Sequence, residues 1–106
     1  MLDKEVLGEV RRRVEALYGE RLVGVVLYGS EARGDAGADS DIDLLILLEG
    51  PVDRWLETKK INRVLYPVEL GLALYRAINA LPLDVADYDA EKTPLYTAAK
   101  HEGLRL

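Results

Sequence analysis

The 106 residues carry a net charge of −5, with 49% apolar and 31% charged side chains, enough for one domain that buries roughly 65% of the surface its unfolded chain exposes. The acidic balance argues against a broad phosphate-backbone contact surface, so nucleic acid is a poor partner, and the lack of cysteine excludes disulfides and thiolate zinc sites. No run approaches the length of a membrane span and the charged N-terminus lacks the apolar core of a signal peptide, which reads as a cytoplasmic protein with no membrane association.

Leu2, Val6, Val10, Val14 and Leu17 recur at helical spacing, with Asp3 available as N-cap and Gly19 just past the end. This predicts an amphipathic helix lying on a sheet. Arg11, Arg12 and Arg13 fan around more than half a helical turn, so a solvated face is preferred to a basic patch. Leu22 to Tyr28 reads as a strand covered on both faces, with Gly24 marking close packing. The chain then turns through Gly29 and Ser30, makes one helical turn around Ala32 to Gly34, and crosses a polar loop from Asp35 to Ser40. Ile42 to Leu48 is the second strand, stopped by Gly50-Pro51.

Asp53 caps a helix running to about Tyr66, with Trp55, Leu56, Ile61 and Leu65 as apolar positions and Lys59 and Lys60 exposed. Trp55 and Tyr66 are read as core in preference to a partner-facing patch. Pro67 interrupts or kinks this helix, and a second one, from Pro67 to about Ala80, carries Leu70, Leu74 and Ile78 on one side. Leu81 to Tyr88 reads as a third strand, with Pro82 near its start or at an edge. Glu91 to Glu102 is a last short helix, with Gly103 as its C-cap.

The chemistry follows from strand periodicity. Asp41 and Asp43 stand two residues apart at a strand's start, so both carboxylates point to one face, with Cα atoms roughly 6 to 7 Å apart. If the Gly29-Ser30 turn ends one strand and Asp41 opens its antiparallel neighbour, the two motifs meet at the same end of the sheet. Two carboxylates so close repel each other unless a cation compensates, and magnesium suits them as a hard ion that takes carboxylate, water and phosphate oxygens. Gly29 leaves room for a bound anion, Ser30 adds a hydroxyl donor, and the amides opening the next turn can point at phosphate. Arg33 either adds positive charge or pins the loop to a neighbouring carboxylate. A third acid is needed for chemistry, and Asp84, expected inside the third strand, is the candidate ligand and general base.

Gly29-Ser30-x-Ala32-Arg33-Gly34 followed by Ser40-Asp41-x-Asp43-Leu44 resembles the signature of the minimal nucleotidyltransferase family, within the DNA polymerase beta-like superfamily. The resemblance implies an α/β fold of the α+β type, a small mixed β-sheet flanked by helices, forming a single nucleotidyltransferase domain over residues 1–106. It implies two magnesium ions held by Asp41, Asp43 and Asp84, and ATP gripped near Gly29, Ser30, Arg33 and Ser40. Attack of an acceptor hydroxyl on the α-phosphate would transfer a nucleotidyl group, AMP from ATP, and release pyrophosphate. Small members of the family are often paired with a HEPN-domain protein as toxin and antitoxin, and some transfer AMP to a tyrosine of that toxin. By resemblance, then, this chain is such an antitoxin, assembled with a HEPN partner that supplies the acceptor.

The competing reading is a binding module that keeps the fold and the nucleotide and neutralises its partner by burial alone. Asp39 reads as a loop residue, and His101 as a solvated last-turn histidine. A Ser30-His101-aspartate triad lacks the nucleophile elbow of hydrolases.

Overall fold

The computed structural model describes residues 4–37, 40–71 and 76–106. At its centre lie two antiparallel strands, β1 (Leu22–Tyr28) and β2 (Ile42–Leu48). β3 (Ile78–Asp84) runs parallel to β2 along one edge, and the two-residue β4 (Leu104–Arg105) runs antiparallel to β1 along the other. The order is β3-β2-β1-β4, a mixed sheet flanked by helices. β1 and β2 are apolar almost throughout because both of their faces are covered.

Two helices, α1 (Lys4–Tyr18) and α3 (Arg54–Gly71), pack on one face. There Val10 and Val14 of α1 and Ile61 and Leu65 of α3 meet Val25, Leu27, Leu44, Ile46 and Leu48. On the other face α4 (Val85–Asp89) and α5 (Pro94–Glu102) bring Tyr88, Tyr96 and Ala99 against Val26, Leu45, Leu47 and Leu83. The period of two along each strand assigns these residues to opposite layers, and each fully buried Leu or Ile contributes about 2 kcal/mol. The single turn α2 (Ser30–Arg33) lies between β1 and β2. Gly24 is close-packed: a Cβ there would stand 2.5 Å from the Arg105 guanidinium.

The first half of the chain follows the sequence reading. β1 and β2 occupy the expected residues, and the three arginines of α1 pair with carboxylates of the same helix, Arg11 with Glu15 and both Arg12 and Arg13 with Glu9. Leu2 and Asp3 lie outside the described residues, as does Leu74. No helix among the described residues is long and apolar enough to cross a membrane.

The second half departs from it. α3 runs on through Pro67 to Gly71, and Arg63, whose carbonyl loses its helical partner there, is exposed, so water can take the place of the missing donor. Ile78 to Ala80 belong to β3, not to a second helix, because Ile78 pairs with Ile42 and buries against the first core. Val85 to Tyr88 are helical where a strand was expected, since the Asp84 carboxylate accepts from the Ala86 amide at 2.9 Å and caps α4. α5 starts at Pro94, with Thr93 as its N-cap. Trp55 and Tyr66 are not core: they are 73% and 57% exposed, on the outer side of α3, with the Lys59 ammonium 4.6 Å from the Trp55 ring centre.

The inner side of α3 carries a buried carboxylate, Glu57. It accepts from Arg21 Nη1 at 2.7 Å and from the Tyr18 hydroxyl at 3.0 Å, while Arg21 also donates to the carbonyls of Glu49 and Pro51. Burial alone would raise the Glu57 pKa, but the hydrogen bonds from Arg21 and Tyr18 and the nearby positive charge hold it below its ordinary 4.5. Stability from this contact is therefore complete above about pH 4.5 and is lost as pH falls through the lower folded-state value. Glu57→Gln should unfold at lower urea than the wild type at pH 7 and lose less stability between pH 7 and pH 3. Parallel losses in the two proteins would contradict this.

Candidate active site

The register of the central strands brings the two motifs together. Tyr28 pairs with Asp43, so the end of β1 lies beside the start of β2. Gly29 follows at φ 75°, and a Cβ there would stand 2.7 Å from Asp43 Oδ2. Two constraints thus act on one residue, a left-handed backbone and a carboxylate where a side chain would begin. The first amide bonded within the α2 turn is that of Arg33, which donates to the Gly29 carbonyl at 3.1 Å. The amides that precede it open the turn, where an anion can be received.

Asp41 and Asp43 share one face, as their parity requires. Asp41 is exposed and Asp43 half-buried. Between them stands Asn79 of β3, which pairs with Asp43 across the strands; its Nδ2 donates to Asp41 Oδ2 at 3.0 Å and to Asp43 Oδ1 at 3.4 Å. One donor therefore lies between two carboxylates, where a cation could take oxygens from both. The Tyr28 phenol lies opposite Asp43, and burial, then the Asp43 charge, push its pKa up, so it stays protonated near neutrality. A cavity of about 540 Å³ lined by Tyr28, Asn62, Tyr66, Glu69, Asn79 and Leu81 among others adjoins the pair. Its size falls in the range of small-molecule sites.

Asp84 is not brought to this place. It pairs with Leu48, five residues along β3 from Asn79, roughly 16 Å at the rise of a strand and with the opposite parity. There its carboxylate caps α4 and presses against Gly50, where a Cβ would clash with it. Among the described residues no group of three or more His, Asp or Glu side chains is placed to hold a metal. Asp41 and Asp43 thus stand beside an amide, with Asp84 apart from them. The spacing Leu70-Leu74-Ile78 disguised the strand's start; the alternation Asn79, Leu81, Leu83 was the signal that would have located Asn79 beside Asp43.

The remaining predicted residues shape the loop. Arg33 pairs with Asp35 at 3.4 Å and stays half exposed. The Ser40 hydroxyl accepts from the Gly37 amide at 2.9 Å, and its carbonyl accepts from Arg76 Nε at 2.8 Å. Asp39 lies outside the described residues. Sequence reasoning also missed a buried ion pair between Glu31 of α2 and Arg76, just ahead of β3, with side chains 1% and 11% exposed. It joins the Gly29-Ser30 turn, the loop before Asp41 and the approach to Asn79. Nothing in the sequence linked two residues so far apart.

Residues 7–96 match the family model described as a nucleotidyltransferase domain. The chain belongs to this nucleotidyltransferase family. A protein of Methanocaldococcus jannaschii provisionally named a protein adenylyltransferase is 31% identical over 84 residues, 79% of this chain and 55% of its own length. A second of the same provisional name and organism is 38% identical over 45 residues, 42% of this chain and 46% of its own. The chain thus spans about half the length of the curated relatives it matches. Among solved structures, a provisionally assigned nucleotidyltransferase from Sulfolobus solfataricus superposes with a TM-score of 0.60 at 18% identity, over 95% of this chain and 76% of that one. A toxin-antitoxin structure with AMP-PNP gives 0.60 at 19%, over 98% and 72%. These two likenesses establish a shared nucleotidyltransferase fold.

Two measurements probe the site's framework. Gly29→Ala should lower stability by about 1 kcal/mol or more through the positive φ alone, and it should displace Asp43, seen as a shift of the Asp43 resonances. Arg76→Met, which leaves Glu31 buried without its guanidinium, should cost about 3 kcal/mol or more in urea unfolding. The double variant Glu31→Leu, Arg76→Met should recover part of that loss.

Proposed function

We propose that this chain transfers AMP from ATP to a hydroxyl of a partner protein, a tyrosine of a HEPN-domain toxin, and so serves as the antitoxin of the pair in the cytoplasm. The observation that carries this reading is the meeting of Gly29 with Asp43, beside Asp41, at one end of the sheet. Further support comes from the relatives named as protein adenylyltransferases and from the likeness to a toxin-antitoxin structure with AMP-PNP. The net charge of −5 favours a protein acceptor over nucleic acid.

Asp41 and Asp43 would hold magnesium, which when bound offsets the triphosphate's charge and makes the α-phosphorus more electrophilic. Gly29 gives the phosphates close access to the backbone, and the Ser30 hydroxyl and the amides of the α2 turn donate to them. Arg33, half exposed and one turn away, adds positive charge on the solvent side. Ser40 acts through the loop, fixing the approach to Asp41. The cavity beside Tyr28 and Asn79 gives the base or the acceptor side chain a place to lie. Transfer forms a bond from the acceptor oxygen to the α-phosphorus and breaks the bond to pyrophosphate, so what the protein supplies is mainly positioning and charge compensation.

One observation favours a second reading, a nucleotide-binding module that neutralises its partner by burial. The neighbour of the two aspartates is Asn79, whose amide cannot take up the acceptor's proton.

Incubation with labelled ATP, magnesium and the toxin distinguishes the two. Label should pass to the toxin, fall at least about 100-fold with Asp41→Asn or Asp43→Asn, and vanish when the accepting tyrosine is changed to Phe. No transfer by the wild type, with toxin affinity unchanged after magnesium and nucleotide are removed, would establish the binding module instead.

A further inference from the structure

An amide is what β3 offers to the two aspartates. Asn79 is exposed, stands in register with Asp43, and reaches both carboxylates with one nitrogen. An amide NH2 has two donors, so this side chain eases the repulsion between two like charges without adding a charge of its own. Among the described residues the neighbouring acids are engaged elsewhere: Asp84 caps α4 five residues along the strand, Glu31 is committed to Arg76, and Glu69 accepts from the Ile78 amide.

Charge counting gives this arrangement its meaning. Two carboxylates balance one divalent cation. A second cation would leave the protein's share of the site two charges positive, and a neutral amide cannot correct that. A carboxylate at position 79 would supply both the missing charge and a bridging oxygen for a hard ion.

We propose that Asn79 limits this nucleotidyltransferase site to one divalent cation. It braces Asp41 and Asp43 against each other and withholds the anionic oxygen that a second ion requires. The proposal rests on the assignment of Asp41 and Asp43 as cation ligands. It makes Asn79 a positioning residue, and it leaves the proton of any acceptor hydroxyl to water or to the phosphates.

Manganese is the probe. Equilibrium dialysis of the full chain without nucleotide, which would itself chelate the metal, should count one Mn2+ per chain for the wild type and two for Asn79→Asp, with the first ion held about ten-fold more tightly in the variant. Thermal unfolding gives a second readout. In EDTA, Asn79→Asp should melt below the wild type because three carboxylates then repel one another, and Mn2+ should raise its Tm by more than it raises the wild type's. Asn79→Glu tests the same point with a longer reach if the shorter carboxylate falls short. Two ions on the wild type, or one ion of unchanged affinity on both carboxylate variants, would overturn the proposal. Asp41→Asn combined with Asp43→Asn separates the two layers of inference. If that protein still binds Mn2+, the aspartates are not the ligands and the proposed active site falls with them. If it binds none while the Asn79 variants gain none, only the role of Asn79 is wrong.

Discussion

A carboxylate and a guanidinium, both shut away from water, hold this site together. Glu31 follows the Gly29-Ser30 turn directly, and Arg76 leads into the strand that carries Asn79, so their contact ties that turn to the far side of the aspartate pair. Arg76 spends a second donor on the Ser40 carbonyl, which fixes the loop just ahead of Asp41. Taking two charges out of water is costly, and apolar residues of similar volume often serve stability as well. What apolar residues cannot supply is this directional joining of three segments.

A second buried carboxylate does comparable work at the opposite end of the sheet. Glu57 draws in Arg21, whose other donors grip the carbonyls of Glu49 and Pro51 where β2 gives way to α3. The sheet is thus clamped at both ends by ion pairs while its middle is held by Leu, Ile and Val. The two ends differ in what covers them. α4 and α5 close the face above Leu47 and Leu83, while Asp41 and Asn79 remain exposed at the other end.

The parts of the fold that local physics decides were legible in the sequence. β1 and β2 could be read to the residue because strands buried on both faces are continuous apolar runs, and Gly29 and Gly50 punctuate them. The shared face of Asp41 and Asp43 followed from the pleat alone. β3 was misplaced because short apolar runs carry no unique period, and its true start depends on pairing with β2, a contact between distant segments. That error hid the pairing of Asn79 with Asp43. Asp84 had a local signature of its own, an aspartate directly ahead of the helical Val85-Ala86-Asp87, which reads equally well as an N-cap. Trp55 and Tyr66 were assigned to the core on hydrophobicity, but the inner side of α3 belongs to Glu57, Ile61, Leu65 and Val68. β4, at two residues, is too short to leave a pattern, and the Glu31 and Arg76 partnership leaves none either.

The outer margin of β3 has one more property. Ile78, Ala80 and Pro82 share the parity that turns backbone amides away from β2; the Ile78 amide donates to Glu69 Oε1 at 3.0 Å, and Pro82 has no N–H to offer. This border is thereby a poor template on which a stray strand could grow. Along this edge an approaching chain meets side chains and a proline more readily than free backbone donors.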